Sequence, residues 1–360
     1  MKTLEQLAMF STSDLASILP PLLVKEVKEK AEPKLIWKQL MRTRRVPAGA
    51  SWFAGRKLVI PYYTKGVKAV QVSEGSSLTS ALGDYQEGSF SYKEVEPVKF
   101  GTAIKITWEM IKLKDINAVE RLMDDVARAL AVFIDTECYK TILAVTQVVD
   151  EEHDISGAGT HTIDLGHDKV LKVRSVTLDG NSITDYTVDY YDGKLKVTTD
   201  GAGTLKVTYD YTSLDLCIDA TTKGTLDYDD IALARHKVIA NNWNPNAIII
   251  PPYADYSLVK QATFTEVGML TERIFERGVI GRIYGLEVIV SSLAPDVAVV
   301  GQFPEPFEFY NVRDLTTYTK EDPDLDAQEY YFYQSIATNR LWDDAVAIVF
   351  NIAENSEDIS

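Results

Sequence analysis

The chain has 360 residues, 46% of them hydrophobic, and a formal net charge of −16. Its length suits two or three domains with a real core. The charge argues against a sequence-general nucleic-acid binder, which needs a basic surface to neutralise phosphates, though not against a protein that encloses nucleic acid without gripping it.

Residues 1–45 read as an N-terminal arm. The opening MKTLEQLAMF lacks the apolar stretch of a secretory signal. No run of about 18 apolar residues occurs anywhere, so no membrane span is expected. Pro20 and Pro21 stand at a helix start, apolar residues follow at helical spacing, and Pro33 breaks the run. An amphipathic segment this far from a core packs on something. Leu22, Leu23, Val27, Leu35, Trp37 and Leu40 are therefore expected to be buried. The arm ends in a basic run, Lys38, Arg42, Arg44 and Arg45, suited to a solvated helix C-terminus.

From 52 to 112 the pattern turns strand-like. RKLVIPYY and GSFSYKEVEPVKFGTAIKITWEMI alternate β-branched and aromatic residues with polar ones, and the polar EGSSLTSALGDYQEG makes a tip between them. This predicts a long hairpin with little core of its own. Residues 115–148 predict one long helix, on an apolar stripe from Ile116 through Met123, Leu130 and Cys138 to Val145, with Asn117 and Glu120 as a capping box.

From Asp154 to Ser213 the helix signal vanishes. Strand runs alternate with Asp179-Gly180, Asp192-Gly193 and Asp200-Gly201, which mark hairpin turns, so a small β-sandwich inserted after the helix is expected. Residues 225–302 return to α/β alternation: a helix over 228–242, the buried strand AIIIPP, a second helix opened by Pro251-Pro252, and the strand LEVIVS. Residues 303–360 are strands again and end in an acidic tail, expected to fray.

GVIGRIYGLEVIVSS places Gly278, Gly281 and Gly285 ahead of an apolar run. A dinucleotide fingerprint runs strand, glycine loop, helix. Here the glycines precede a strand and nothing helical follows, so they read as a tight turn into a buried strand, with no cofactor bound. A search for catalysis is equally barren. The histidines 153, 161, 167 and 236 form no metal signature. His161 with Asp164 and His167 with Asp168 read as solvated turns, and no metal is expected. DPDLDAQE fails as a calcium loop, because Ala327 stands where glycine is needed and Tyr333 where glutamate is needed. The doublets Asp124-Asp125, Asp229-Asp230 and Asp343-Asp344 read as solvated faces. Cys138 and Cys217 read as buried thiols of a reducing compartment. The chain is thus read as a non-enzyme whose arm, hairpin and long helix need neighbours to bury them.

The order of these parts resembles the major capsid proteins of tailed phages and related archaeal viruses. GSFSYKEVEPVKF through ECYKTIL looks like the family's extended loop returning into its spine helix. NAIIIPPYADYSLVKQA with GVIGRIYGLEVIVSSLAP looks like its axial domain, and DDAVAIVFNI like the strand near its C-terminus. The resemblance implies an α+β capsid fold. It divides the chain into an arm (1–45), an extended loop and start of the peripheral domain (46–112), a spine helix (113–153), an inserted all-β sandwich (154–213), an axial α/β domain (214–305), and return strands with the tail (306–360).

The functional implication is an icosahedral shell of pentamers and hexamers in a virion, assembled in the host cytoplasm and enclosing double-stranded DNA. Scaffolding, portal or decoration proteins are the implied partners, with no membrane and no cofactor. Lys38, Arg42, Arg44 and Arg45 then become a candidate DNA-facing patch, and Gly278, Gly281 and Gly285 a structural turn of the axial domain. The insert is not part of the basic family fold, and no lysine–asparagine crosslink motif can be matched. An encapsulin shell is the alternative on the same fold. A secreted carbohydrate-active enzyme with a β-sandwich module is the alternative from another class.

Overall fold

The computed structural model describes residues 27, 30–31, 35–46, 58–64, 89–107, 116–260, 281–294, 296–322, 327–357 and 359. Leu22, Leu23, the hairpin tip and Gly278 lie outside them. In chain order a 3-10 turn, Trp37–Leu40, leads into β1 (Arg42–Arg44), β2 (Leu58–Thr64), β3 (Ser89–Val95), β4 (Val98–Thr107) and helix α1 (Ile116–Ile142). Next come β5 (Val145–Ile155), β6 (Gly159–Asp164), β7 (Val170–Leu178), β8 (Asn181–Ser182), β9 (Tyr186–Asp189), β10 (Lys194–Thr199) and β11 (Gly203–Thr212). Then β12 (Cys217–Asp219), α2 (Tyr228–Ala240), β13 (Ala247–Ile250), α3 (Pro252–Lys260), β14 (Arg282–Ile283), β15 (Leu286–Val290) and β16 (Ala298–Gly301) follow. The chain closes with β17 (Phe307–Asp322), β18 (Ala327–Arg340) and β19 (Val346–Phe350).

The chain divides into two compact units. One is built from Thr43–Val126 and Phe309–Leu341, with Met1–Lys28. Its four-stranded sheet runs β1-β17-β18-β4, and β2 pairs with β3 as the expected hairpin, from Leu58 opposite Val95 to Thr64 opposite Ser89. Leu58, Tyr310 and Ala337 form a small buried cluster there. Sixteen-residue β17 and fourteen-residue β18 are long for strands and carry this sheet.

The second unit comprises Glu29–Arg42, Ala127–Glu308 and Trp342–Ser360. Its six-stranded mixed sheet runs β12-β19-β16-β13-β15-β14, with β13 parallel to β15 and antiparallel to β16. Helix α2 packs Ile231, Ala234 and Val238 onto Ile248, Ile250, Val300 and Val349. A run such as AIII or VAIVF, buried at every position, is what a strand covered on both faces requires.

Between α1 and β12 sits a two-sheet module. One sheet runs β5-β11-β7-β8, the other β6-β10-β9. Asp179 and Gly180 both have positive φ, 49° and 86°, as the two-residue turn between β7 and β8 demands. At Gly193 (φ +68°) a Cβ would stand 2.2 Å from the His167 carbonyl oxygen, so glycine is required there.

Several expectations are corrected. The helix ends at Ile142 and Val145–Ile155 is a strand, where the stripe carried the helix to residue 148. Ala144, at φ +51°, breaks the helix, and β5 pairs along β11 instead, so the module starts at Val145 and not at 154. Asn117 falls within the helix and not ahead of it. Strand β19 belongs to the six-stranded sheet and not with the return strands β17 and β18. The arm's end is not an α-helix, since Trp37–Leu40 is a single 3-10 turn and Arg42–Arg44 is extended. The acidic tail is docked and not frayed: Ile352, Ala353 and Ile359 are buried.

Candidate functional site

Several candidate catalytic side chains make structural contacts. His161 Nε2 lies 2.9 Å from the Gly157 carbonyl. His167 stacks on Tyr211, with ring centroids 3.9 Å apart, and its Nδ1 lies 3.1 Å from the Tyr209 hydroxyl. Asp230 is buried at the start of α2, where it accepts bonds from the Thr221 amide (3.1 Å) and hydroxyl (2.7 Å) and completes a capping box with Asp227. Burial raises the pKa of both thiols, that of Cys217 to about 11 and that of Cys138 further, which disfavours their thiolate forms. Among the described residues no group of three metal-type ligands converges.

The glycine turn takes a definite form. Arg282–Ile283 and Leu286–Val290 pair antiparallel across Tyr284-Gly285. Tyr284 has φ +50° and Gly285 φ +82°, the two left-handed residues of a tight hairpin. A Cβ at Gly281 or Gly285 would meet open space, so at Gly285 backbone conformation and not crowding selects glycine. Gly281 has no such demand.

The arm docks through a side chain that the sequence reading passed over. Asp135, 2% exposed on α1, accepts the amides of Ile36 (2.7 Å) and Lys38 (3.1 Å). These amides, at the opening of the 3-10 turn, have no partner within it. Burial raises the Asp135 pKa, and the amides oppose that shift. Trp37, fully buried, donates Nε1–H to Ser291 Oγ at 3.0 Å and lies against Tyr139, with ring centroids 5.8 Å apart. An aspartate between Ala131 and Cys138 on an otherwise apolar stripe was the available signal. Val27, Leu35, Trp37 and Leu40 are all buried as expected.

Of the basic run, Arg42, Arg44 and Arg45 are exposed, while Lys38 is half-buried on the 3-10 turn. Arg42 and Arg44 share one face of β1, the end strand of its sheet, since alternate residues of a strand point the same way.

The root of the two-sheet module carries a buried polar network. Asp210, 1% exposed, receives Arg174 Nε on both carboxylate oxygens at 2.9 Å and Nη2 on one at 2.6 Å. The Tyr139 hydroxyl of α1 lies 3.4 Å from the same carboxylate, and burial and that negative charge raise its pKa to about 12. Thr212 Oγ1 donates to the Leu143 carbonyl at 2.5 Å.

Asn351, fully buried with φ +59°, is a second hub. Its Nδ2 donates to Asp189 (2.8 Å) and Asp219 (2.7 Å), and its Oδ1 accepts the Tyr190 amide (2.6 Å). Both networks join elements of the second unit. They tie those elements together.

Residues 91–190, which run from β3 through α1 to β9, match the family model described as phage capsid protein. No curated protein matches the chain. Among solved structures, a chain from the capsid structure of the cyanophage P-SCSP1u superposes with a TM-score of 0.51 at 11% identity, covering 90% of this chain and 89% of that one. A chain of Microbacterium phage Oxtober96 gives 0.50 at 12% identity, covering 88% and 90%. A virus-like particle from Pyrococcus furiosus gives 0.47 at 10% identity, covering 92% and 99%. The superposition on the cyanophage capsid chain shows the phage capsid fold over about nine-tenths of this chain.

Proposed function

We propose that this chain is the major, self-assembling subunit of an icosahedral phage capsid shell that encloses double-stranded DNA in a virion. The observation that carries the reading is the family match over 91–190, set within a capsid fold that spans about nine-tenths of the chain. Pentamers and hexamers are the assemblies such a subunit forms, in the host cytoplasm, with scaffolding, portal or decoration proteins as partners.

A net charge of −16 favours confinement of DNA by the wall over general affinity for it. The exposed Arg42, Arg44 and Arg45, with Lys38 beside them in sequence, are the groups suited to touch phosphate from the inner surface. The six-stranded sheet, with the Tyr284-Gly285 turn at its β14 end, serves as the axial domain. The two-sheet module faces outward, because a closed wall leaves little room inside for it.

Sedimentation of the purified chain tests the reading: particles far heavier than one chain are expected. A well-folded monomer at every concentration and salt tried contradicts it. Replacing residues 145–212 by a short Gly-Ser linker separates wall from decoration. Shells that still close but melt at lower temperature are expected, and loss of all assembly refutes the module's peripheral role.

A further inference from the structure

The two sheets of the inserted module are attached to the six-stranded sheet in different ways. The chain enters the module at Val145 in β5 and leaves at Thr212 in β11, residues paired with each other in one sheet. The other sheet, β6-β10-β9, has no direct chain connection to the six-stranded sheet. Its end strand, β9, is met by the residues that follow β19. The Val188 amide donates to the Asn355 carbonyl (2.9 Å), and the Glu357 amide donates back to the Val188 carbonyl (3.1 Å). Val188 and Ser356 thereby form a parallel bridge, so the tail adds a short strand to the sheet edge.

Side chains read this segment as well as its backbone. Glu357 accepts from Thr187 Oγ1 (2.7 Å) and Lys196 Nζ (2.8 Å). Asn355 Oδ1 accepts from the Tyr190 hydroxyl (3.0 Å). Lys194 Nζ donates to the Ile359 carbonyl (2.9 Å), and the Ile359 side chain is buried. Main-chain pairing supplies adhesion in such an arrangement, and alternate side chains supply selectivity. Upstream, Asn351 fixes where the segment departs from β19.

We infer that the β9 edge is a strand-addition site keyed to the chain's own residues 354–357 and 359, and that this segment is a latch holding the second sheet of the insert to the six-stranded sheet. Occupied, the edge is capped. Vacated, it is an unpaired edge of the kind that recruits another chain, a hazard wherever many copies crowd together. The inference stands whether or not the chain forms a shell.

Amide hydrogen exchange tests it, on the full chain and on a variant ending at Ala353. Local opening governs exchange, so protection at Val188 and along β10 is expected to fall by about tenfold or more in the variant, with β13, β16 and β19 unchanged. A synthetic peptide of residues 354–360 is expected to restore protection at Val188, and the same peptide carrying Glu357→Ala to restore less. If truncation prevents folding, the full chain carrying Thr187→Ala with Lys196→Ala is used, and faster exchange at Val188 and Glu357 is expected. Unchanged exchange at Val188 in the truncated chain, or in the double variant where truncation prevents folding, overturns the latch. A peptide that restores nothing overturns the strand-addition site.

Discussion

Replacing Asn351 by alanine removes two bonds to carboxylates and one to a buried amide. Hydrogen bonds to charged partners are worth about 1.5–3 kcal/mol each, and neutral ones about 1. Those figures are discounted here. Asp189 keeps the amides of Tyr191 and Asp192, both at 3.2 Å, and Asp219 keeps Lys223 and is 38% exposed. The Tyr190 amide, by contrast, loses its acceptor in a buried place. A net loss of about 3–5 kcal/mol is expected for Asn351→Ala. Backbone strain supplies an internal control. At φ +59° alanine pays roughly 1 kcal/mol that glycine avoids, so Asn351→Gly is expected to be the more stable of the two. Asn351→Asp sets a third carboxylate between two others and is expected to be no better than alanine at neutral pH. Urea unfolding of the unassembled chain measures all three. Asn351→Ala within about 1 kcal/mol of the parent, or glycine below alanine, refutes the hub.

The next two expectations use the same measurement, and the third uses melting temperature against pH. Arg174→Ala strips the partner from a carboxylate that is 1% exposed. Because the guanidinium is 40% exposed, its loss should cost about 2–3 kcal/mol, below the roughly 3–5 of a fully buried pair, and Asp210→Asn with Arg174→Ala should recover part of that. Gly285→Ala meets no clash but forces alanine to φ +82°, for a loss of about 1 kcal/mol. Burial raises the Asp296 pKa above its ordinary 3.8, so the folded state holds the proton longer than the unfolded one. Stability from this group is therefore present at low pH and declines as pH rises from 3.8 through the raised value. Asp296→Asn should flatten that decline in melting temperature, and an unchanged profile contradicts it.

What could be read in the sequence was what lies close together along it. The α1 stripe, the Asp179-Gly180 turn and the left-handed Gly285 are local, fixed by periodicity or by a single backbone angle. The end of α1 is not legible locally, because Val145 and Val148 continue a helical spacing while also suiting a strand. Strand β11, some sixty residues on, decides between them. The sheet that takes β19 is not legible either, because an all-apolar run announces burial but not its neighbours. The tail's acidity suggested solvent, yet Lys194 and Lys196, which receive it, lie over 150 residues upstream. Asp135 was within reach as a lone carboxylate on a buried stripe.

Electron cryo-microscopy of particles formed by the purified chain, with its scaffolding partner where one is required, tests the central claim most directly. The account expects closed icosahedral shells in which the capsid fold tiles the wall, the two-sheet module stands on the outer surface, and Arg42, Arg44 and Arg45 face the lumen. Chains that stay as discrete small oligomers under every assembly condition, or close into no symmetric shell, contradict it.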